Sequence, residues 1–398
     1  MARIAMTTFR TFAYGASRMA MHYATALTAA GHDVTLLYQH GSDATSKNGS
    51  ILPDLEAAGV STRQVPGIKR AFLPWKGAEL TAAVRECGAE LLITCQVGDA
   101  AGGTRVAKRL GIPSVVYALN MMRFSDRQPV KWMKESIYAS ACRRASLVVC
   151  CAPAIRDIMT DEYGIPAEKT RVVLNGLDTS AFPPPEPGVR ESVRAEFGLE
   201  EGELLLLNLA RMHPQKALPD LVEAARLLAA DDNVPPFKLV IAGDATDAAD
   251  RAVKAALIKQ IEDAGMSDCV LLPGFRTDGP RLLYGADLFV LSSAWEGLPL
   301  VVLEAFGAAL PVVMTEYGER FEGFRNGADG WYTPVGNPRK LADTIAAAMK
   351  LSEQQRREVG EAGRVYMQSH LTLEEGKRQF VEAVEACLPA TAPAGAAA

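Results

Sequence analysis

A chain of 398 residues, 48% hydrophobic and 22% charged, can build two or three globular cores and is too apolar to be disordered. No apolar run approaches the ~20 residues of a membrane-spanning helix, and the five histidines show no zinc-ligand spacing. The net charge of −5 hides an uneven split: residues 1–185 carry 21 basic and 15 acidic side chains, and the remainder carries 21 and 32.

In chain order, Arg3–Thr8, Val34–Tyr38, Leu91–Cys95, Ser114–Ala118 and Leu147–Cys151 are predicted strands. Their apolar runs are continuous rather than alternating, as in parallel strands buried on both faces. The first of them starts almost at Met1, so the opening reads as a strand and not as a secretory leader. Ser17–Ala30, closed by Gly31, and Asp99–Leu110, closed by Gly111, are predicted helices. Ala181–Gly188 contains four prolines and reads as an interdomain linker. Beyond it the alternation restarts, with strands at Glu203–Leu209, Lys238–Ala242, Cys269–Leu272, Leu288–Ser292 and Pro311–Thr315. Helices are predicted near Gln215–Ala230, Ala248–Ala264 and Leu300–Ala308. The seven cysteines contain no C-x-x-C pair and read as small buried hydrophobes in a reducing compartment. The pattern is α/β in two halves, and ligands of such sheets bind beyond the carboxyl ends of the strands.

Three strand-end loops carry chemistry. Glu296-Gly297-Leu298-Pro299-Leu300 leads into a helix that includes Glu304. Two carboxylates flanking the positive end of a helix suit a ligand that bears both hydroxyls and phosphate. Two solvated glutamates on a surface helix are the competing reading. Arg211 and Lys216 lie five apart at a strand-to-helix turn and suit a diphosphate, against a plain basic loop. Gly15, in Tyr14-Gly15-Ala16-Ser17-Arg18, would let a ligand approach the backbone. That loop lacks G-x-G-x-x-G, and the second strand ends in Leu37-Tyr38-Gln39 without a ribose-binding acid, which disfavours a nicotinamide cofactor.

These motifs resemble the retaining glycosyltransferases of family GT4. Glu296 and Glu304 match the family's E-x7-E, and Arg211 and Lys216 match its R-x4-K. Val173–Asp178, Pro273-Gly274-Phe275, Ala286-Asp287-Leu288 and Gly327–Trp331 fall in the family's order across residues 3–388. The resemblance implies a GT-B fold, two Rossmann-like domains facing across a cleft. Residues 1–182, with 372–388 returning, would form the acceptor domain, and 190–370 the nucleotide-sugar donor domain. It implies Arg211 and Lys216 on the donor diphosphate, Glu304 on the ribose, and Glu296 on sugar hydroxyls. Gly297, Leu298, Pro299 and Leu300 would cradle sugar and phosphate, and Gly274 and Phe275 would meet the base. Gly15 would face the phosphate from the first domain. Asn120 stands where the family often has a sugar-contacting histidine, while Ala210, Ala217 and Ala309 stand where glycines are common. No metal and no cofactor is implied. A sugar-nucleotide epimerase or hydrolase, or a non-catalytic sugar-nucleotide binding protein, are the alternatives on the same plan.

The basic first half is where the acceptor would bind. Arg63–Lys76 contains no acid, and Arg123–Arg144 sets six cations against Asp126 and Glu135 beside Trp132 and Met133. These stretches suit a phosphate-bearing acceptor or peripheral contact with an anionic membrane. A cytoplasmic enzyme with a glycan, lipid-linked or small-molecule acceptor, and no nucleic-acid partner, is the expectation.

Overall fold

The computed structural model describes residues 1–12, 15–41, 49–71, 73, 76–119, 130–318 and 320–388, with the side chains of Val130 and Lys131 also left aside. Tyr14, Trp75, Asn120, Arg123, Asp126 and Arg127 lie outside the described residues. The chain forms two compact units, Met1–Asn175 with the C-terminal segment from Glu374 onward, and Gly176–Leu373.

Unit 1 holds seven strands: β1 (Arg3–Arg10), β2 (Asp33–His40), β3 (Ser61–Gln64), β4 (Leu91–Thr94), β5 (Ser114–Ala118), β6 (Leu147–Cys150) and β7 (Thr170–Val172). All pair parallel in the order β3-β2-β1-β4-β5-β6-β7. The order reverses between β1 and β4, which is the topological switch point of a doubly wound sheet. Every residue of β4, β5 and β6 is buried, as their unbroken apolar runs require. The C-terminal helix Leu373–Glu385 completes this unit: Phe380 stacks on Tyr23 with ring centroids 3.9 Å apart and meets Tyr117 edge-on. Its last residue, Glu385, lies 3.1 Å from His32.

Unit 2 repeats the plan with β8 (Leu204–Leu209), β9 (Phe237–Ala242), β10 (Val270–Gly274), β11 (Leu288–Leu291), β12 (Val312–Thr315) and β13 (Trp331–Thr333). The order is β10-β9-β8-β11-β12-β13, again all parallel, with its switch point between β8 and β11. Leu204, Leu206, Leu239, Ile241 and Val290 pack with the helices Leu218–Ala229 and Pro338–Met349 into one core. Arg190 and Arg194, on the helix Val189–Glu196, both bind the buried carboxylate of Asp287, which also accepts the Leu205 backbone N–H. The Ala286-Asp287-Leu288 motif is therefore a structural tie between that helix and the sheet.

Three edge strands, β3, β7 and β13, have no counterpart among the sequence-predicted strands. They are three or four residues long; β3 is polar and largely exposed, and β7 is half-exposed. Their apolar signal is too short to stand out. The predicted helix Gln215–Ala230 is also divided. Pro214–Lys216 forms a 3-10 turn, Ala217 takes φ +44°, and the α-helix starts at Leu218. The proline segment Ala181–Gly188 lies within unit 2, where the Pro183 carbonyl accepts a 2.5 Å hydrogen bond from the Tyr284 hydroxyl. Among the described residues no helix is long and apolar enough to cross a membrane.

Candidate functional site

The carboxyl ends of β8 and β11 flank the switch point of unit 2, and the loops that leave them carry most of the sequence-predicted residues. After β8 the chain makes the 3-10 turn Pro214–Lys216. Proline fixes the backbone at its first position, and the His213 Nδ1 accepts the Gln215 N–H at 3.1 Å to cap it. That bond requires a neutral ring. Burial, then the neighbouring Arg211 cation, hold the His213 pKa below its ordinary value, so the ring is neutral at pH 7.

The turn delivers Lys216 and Gln215 to the loop after β11. The Lys216 Nζ donates to the Glu296 Oε1 at 2.5 Å, and Ser293 Oγ donates to the same oxygen at 2.7 Å. Gln215 Nε2 donates to the Glu296 Oε2 at 3.0 Å and to the Trp295 carbonyl at 2.9 Å. The two loops are further laced by Ser292 Oγ donating to the Lys216 carbonyl and Ala294 N–H donating to the Gln215 carbonyl. Glu296 is only 6% exposed. Three donors, one of them a cation, hold it as a fixed carboxylate. A carboxylate offers about four lone-pair positions, so roughly one is left for a further donor such as a ligand hydroxyl. Lys216 has three N–H bonds and spends one on Glu296.

Arg211 stands at the start of the same loop. Its Nε lies 3.7 Å from the Asp250 carboxylate, a charge contact too long for a hydrogen bond. Asp250 is fully buried in the helix Ala248–Asp263 and accepts the N–H and hydroxyl of Thr246 on Oδ2. It orients Arg211, whose side chain stays 38% exposed. Gly297, Leu298 and Pro299 are buried, Leu300 is half-buried, and Leu300–Gly307 is the helix with half-buried Glu304 inside it. Glu304 thus lies on the helix that follows the Lys216–Glu296 pair, one turn in. Gly274 closes β10 with φ +82° and Phe275 is half-buried beside it. Of the first-half candidates, Gly15 opens the helix Gly15–Ala29 of unit 1 and is exposed, while Asn120 lies outside the described residues.

Four contributors escaped the motif reading: Gln215, Ser293, Asp250 and Gly243. Gln215 falls at an open position of R-x4-K, and Ser293 lies three residues ahead of E-x7-E, so neither is fixed by the motifs. Gly243 follows β9 at φ +154°, and a Cβ there would lie 1.8 Å from the Ala210 carbonyl oxygen. That close approach sets the path of the chain just before Arg211. Among the described residues no group of three His, Cys, Asp or Glu side chains is placed to hold a metal.

Comparison with known proteins gives two family models. "Glycosyltransferase Family 4" matches residues 13–181, and "Glycosyl transferases group 1" matches residues 189–366. Among curated relatives, the UDP-Gal:alpha-D-GlcNAc-diphosphoundecaprenol alpha-1,3-galactosyltransferase of Escherichia coli is 28% identical over 216 residues, 53% of this chain and 54% of that one. Mannosylfructose-phosphate synthase of Agrobacterium fabrum is 25% identical over 210 residues, 52% and 46% of the two chains. The chain thus spans about half the length of these relatives. In architecture it is similar to Anabaena Alr3699/HepE, solved in complex with UDP and glucose. The TM-score is 0.82 at 18% identity, over 97% of this chain and 100% of that one. That likeness establishes the GT-B fold.

Proposed function

Because the chain belongs to the GT4-type glycosyltransferases, we propose that it transfers a sugar from a nucleoside-diphosphate-sugar to an acceptor hydroxyl with retention, giving an α-linked product. The observation that carries this reading is the Lys216–Glu296 pair across the β8/β11 switch point, with Arg211 on the same loop. The E. coli relative is named for a UDP-linked hexose, which favours UDP as the nucleotide.

In this reading unit 2 binds the donor. Arg211 and the two remaining N–H bonds of Lys216 face the diphosphate, and Glu296 takes a sugar hydroxyl at its open lone pair. Glu304 takes the ribose hydroxyls, and the backbone of Gly297–Leu300 supports sugar and phosphate. Gly274 and Phe275 flank the base. As the anomeric C–O bond to the diphosphate breaks, negative charge grows on the leaving oxygen, and Lys216 and Arg211 stabilise it. The acceptor oxygen bonds to the anomeric carbon on the same face, and its proton passes to a diphosphate oxygen. Incubation with UDP- and GDP-sugars, with and without an acceptor panel, tests the assignment. Acceptor-dependent nucleotide release and a small anomeric coupling constant in the product are expected. Isomerised donor, or a β-linked product, overturns it.

A second reading concerns the acceptor side. On the helix Val130–Arg144, Trp132 is 64% and Met133 55% exposed beside exposed Lys134, and Arg143 and Arg144 lie in its last turn. Adjacent exposed apolar side chains on a basic helix favour contact with an anionic membrane surface. Flotation with anionic vesicles at low salt is expected to recover the protein. Absence of recovery removes the membrane partner.

A further inference from the structure

A group of cations at the switch point of unit 1 is not used by the donor chemistry. Phe9 and Arg10 end β1, and the Phe9 N–H donates to the Gln96 Oε1 just beyond β4, at 3.2 Å. The Lys69 ammonium lies 5.0 Å from the centre of the Phe9 ring, and the Arg10 guanidinium lies 5.6 Å from it. Arg10 also sits 6.0 Å from the Phe12 ring. The imidazole of His40, at the end of β2, meets Phe9 edge-on at 4.9 Å. Lys69 is fixed from below: Ile68 is fully buried, and the Lys69 N–H donates to the Gln39 Oε1 at 2.8 Å. Among the described residues neither Arg10 nor Lys69 forms an ion pair with a carboxylate, and residues 63–76 contain no acid.

Two positive charges gathered on one aromatic ring repel each other, and no carboxylate among the described residues pairs with either of them. Aromatic faces hold cations at modest strength and leave most of their N–H bonds unspent. That is the resting state of an anion site whose counter-charge comes with the ligand. The place matches the chemistry, since ligands of such sheets bind at the switch point beyond the strand ends. The geometry points to Arg10 and Lys69 as the recognition site for a phosphate group carried by the acceptor. A phosphate monoester brings −1.5 to −2 charges near neutral pH, which matches the two cations. The phosphate belongs to a soluble sugar or polyol, or heads a lipid chain. This inference rests on the glycosyltransferase reading for the word acceptor, and on the unit 1 cluster for the rest.

The test is calorimetric titration of the full chain, saturated with UDP so that the donor site is filled. One arm uses glycerol 3-phosphate against glycerol, and the other uses farnesyl phosphate against farnesol in detergent micelles. Binding of the phosphate form in at least one arm is expected, and the arm identifies the source. Arg10→Gln and Lys69→Gln each raise the dissociation constant at least tenfold, while Arg10→Lys restores most of the affinity. UDP binding stays as in the parent chain in all three variants. Equal binding by parent and Gln variants, or no phosphate binding in either arm while UDP binds, overturns the acceptor site alone. If UDP does not bind the parent chain, GDP takes its place in the same titrations, and failure of both overturns the donor reading instead.

Discussion

The ammonium of Lys216 and the carboxylate of Glu296 meet at 2.5 Å, joining the loops that leave β8 and β11 on either side of the unit 2 switch point. The last residue of the R-x4-K motif and the first of E-x7-E therefore form one charged element, locked by Gln215 and Ser293. In the proposed reaction, a cation held this way would already be in place as charge develops on the leaving diphosphate and would need little reorganisation.

Lys216→Ala is expected to lower kcat by about 100-fold or more, the scale of losing one preorganised charge donor, with donor KM changed much less. Glu304→Ala is expected to do the opposite: donor KM rises about tenfold and kcat stays within a few-fold, as for a hydrogen bond made equally in ground and transition states. Steady-state kinetics on the two variants separates these roles. Equal loss of kcat in both would overturn the division.

The sheets of both units were legible because buried parallel strands are continuous apolar runs, such as Leu204–Leu209 and Leu147–Cys150. Edge strands such as Thr170–Val172 were not, because a short, half-exposed strand has no such run. At the candidate site, motif spacing put Arg211, Lys216 and Glu296 on strand-end loops and Glu304 on the helix that follows, and those are the elements that carry them. It was silent on Gln215 and Ser293, whose role exists only once β8 and β11 lie side by side. The pairing of Lys216 with Glu296 was likewise invisible, since 80 residues separate them.

Gly243→Ala is expected to disrupt unit 2. The new Cβ would overlap the Ala210 carbonyl at 1.8 Å, in a backbone conformation that L side chains rarely adopt. The atoms it meets are all backbone of Ala210, at the end of β8, which does not yield cheaply. A loss of about 3 kcal/mol or more is expected, read as a fall in the denaturation midpoint together with weaker UDP binding. A variant as stable as the parent chain would show that the loop relaxes.

Asp287→Ala removes the shared carboxylate under Arg190 and Arg194 and leaves the Leu205 N–H without its partner. Breaking a buried pair of this kind costs about 3–5 kcal/mol; the partial exposure of both arginines, 33% and 21%, places the expectation at the lower end. Urea unfolding reads the change. A loss under about 1 kcal/mol would show that the helix Val189–Glu196 is held by apolar packing alone.

Asp99 gives a pH dependence opposite to that of an ordinary surface carboxylate. It is fully buried on the helix Val97–Leu110, accepts the Thr7 hydroxyl at 2.8 Å and the Gln96 N–H at 3.1 Å, and burial raises its pKa to about 7. Between the unfolded value near 4 and the folded value, the folded chain holds a proton that the unfolded chain has released. Stability from this group is therefore largest at acid pH and declines as pH rises toward 7. Asp99→Asn keeps an acceptor for Gln96 and a polar partner for Thr7 without a charge to bury. The variant is expected to melt higher than the parent chain at pH 8, with the gap shrinking toward pH 5. Thermal melting across that range reads it, and a gap that grows toward acid would reverse the assignment.

Ala217 and Ala309 are the two non-glycine residues with positive φ among the described residues, at +44° and +53°. An L side chain in this region costs about 1–2 kcal/mol. Glycine relieves that strain but loses about 0.5–1 kcal/mol through its greater freedom when unfolded. The net expectation for Ala309→Gly is a gain of up to about 1 kcal/mol in urea unfolding, with kinetics unchanged because it lies at the entry to β12, away from the strand ends that carry the site. Ala217→Gly has the same stability sign but sits directly after Lys216 and ahead of the helix Leu218–Ala229. Loosening that hinge lets the ammonium leave Glu296 more often, so kcat is expected to fall a few-fold while stability rises. If both variants gain stability and neither loses turnover, the rigid 3-10 turn is not what holds Lys216 in place.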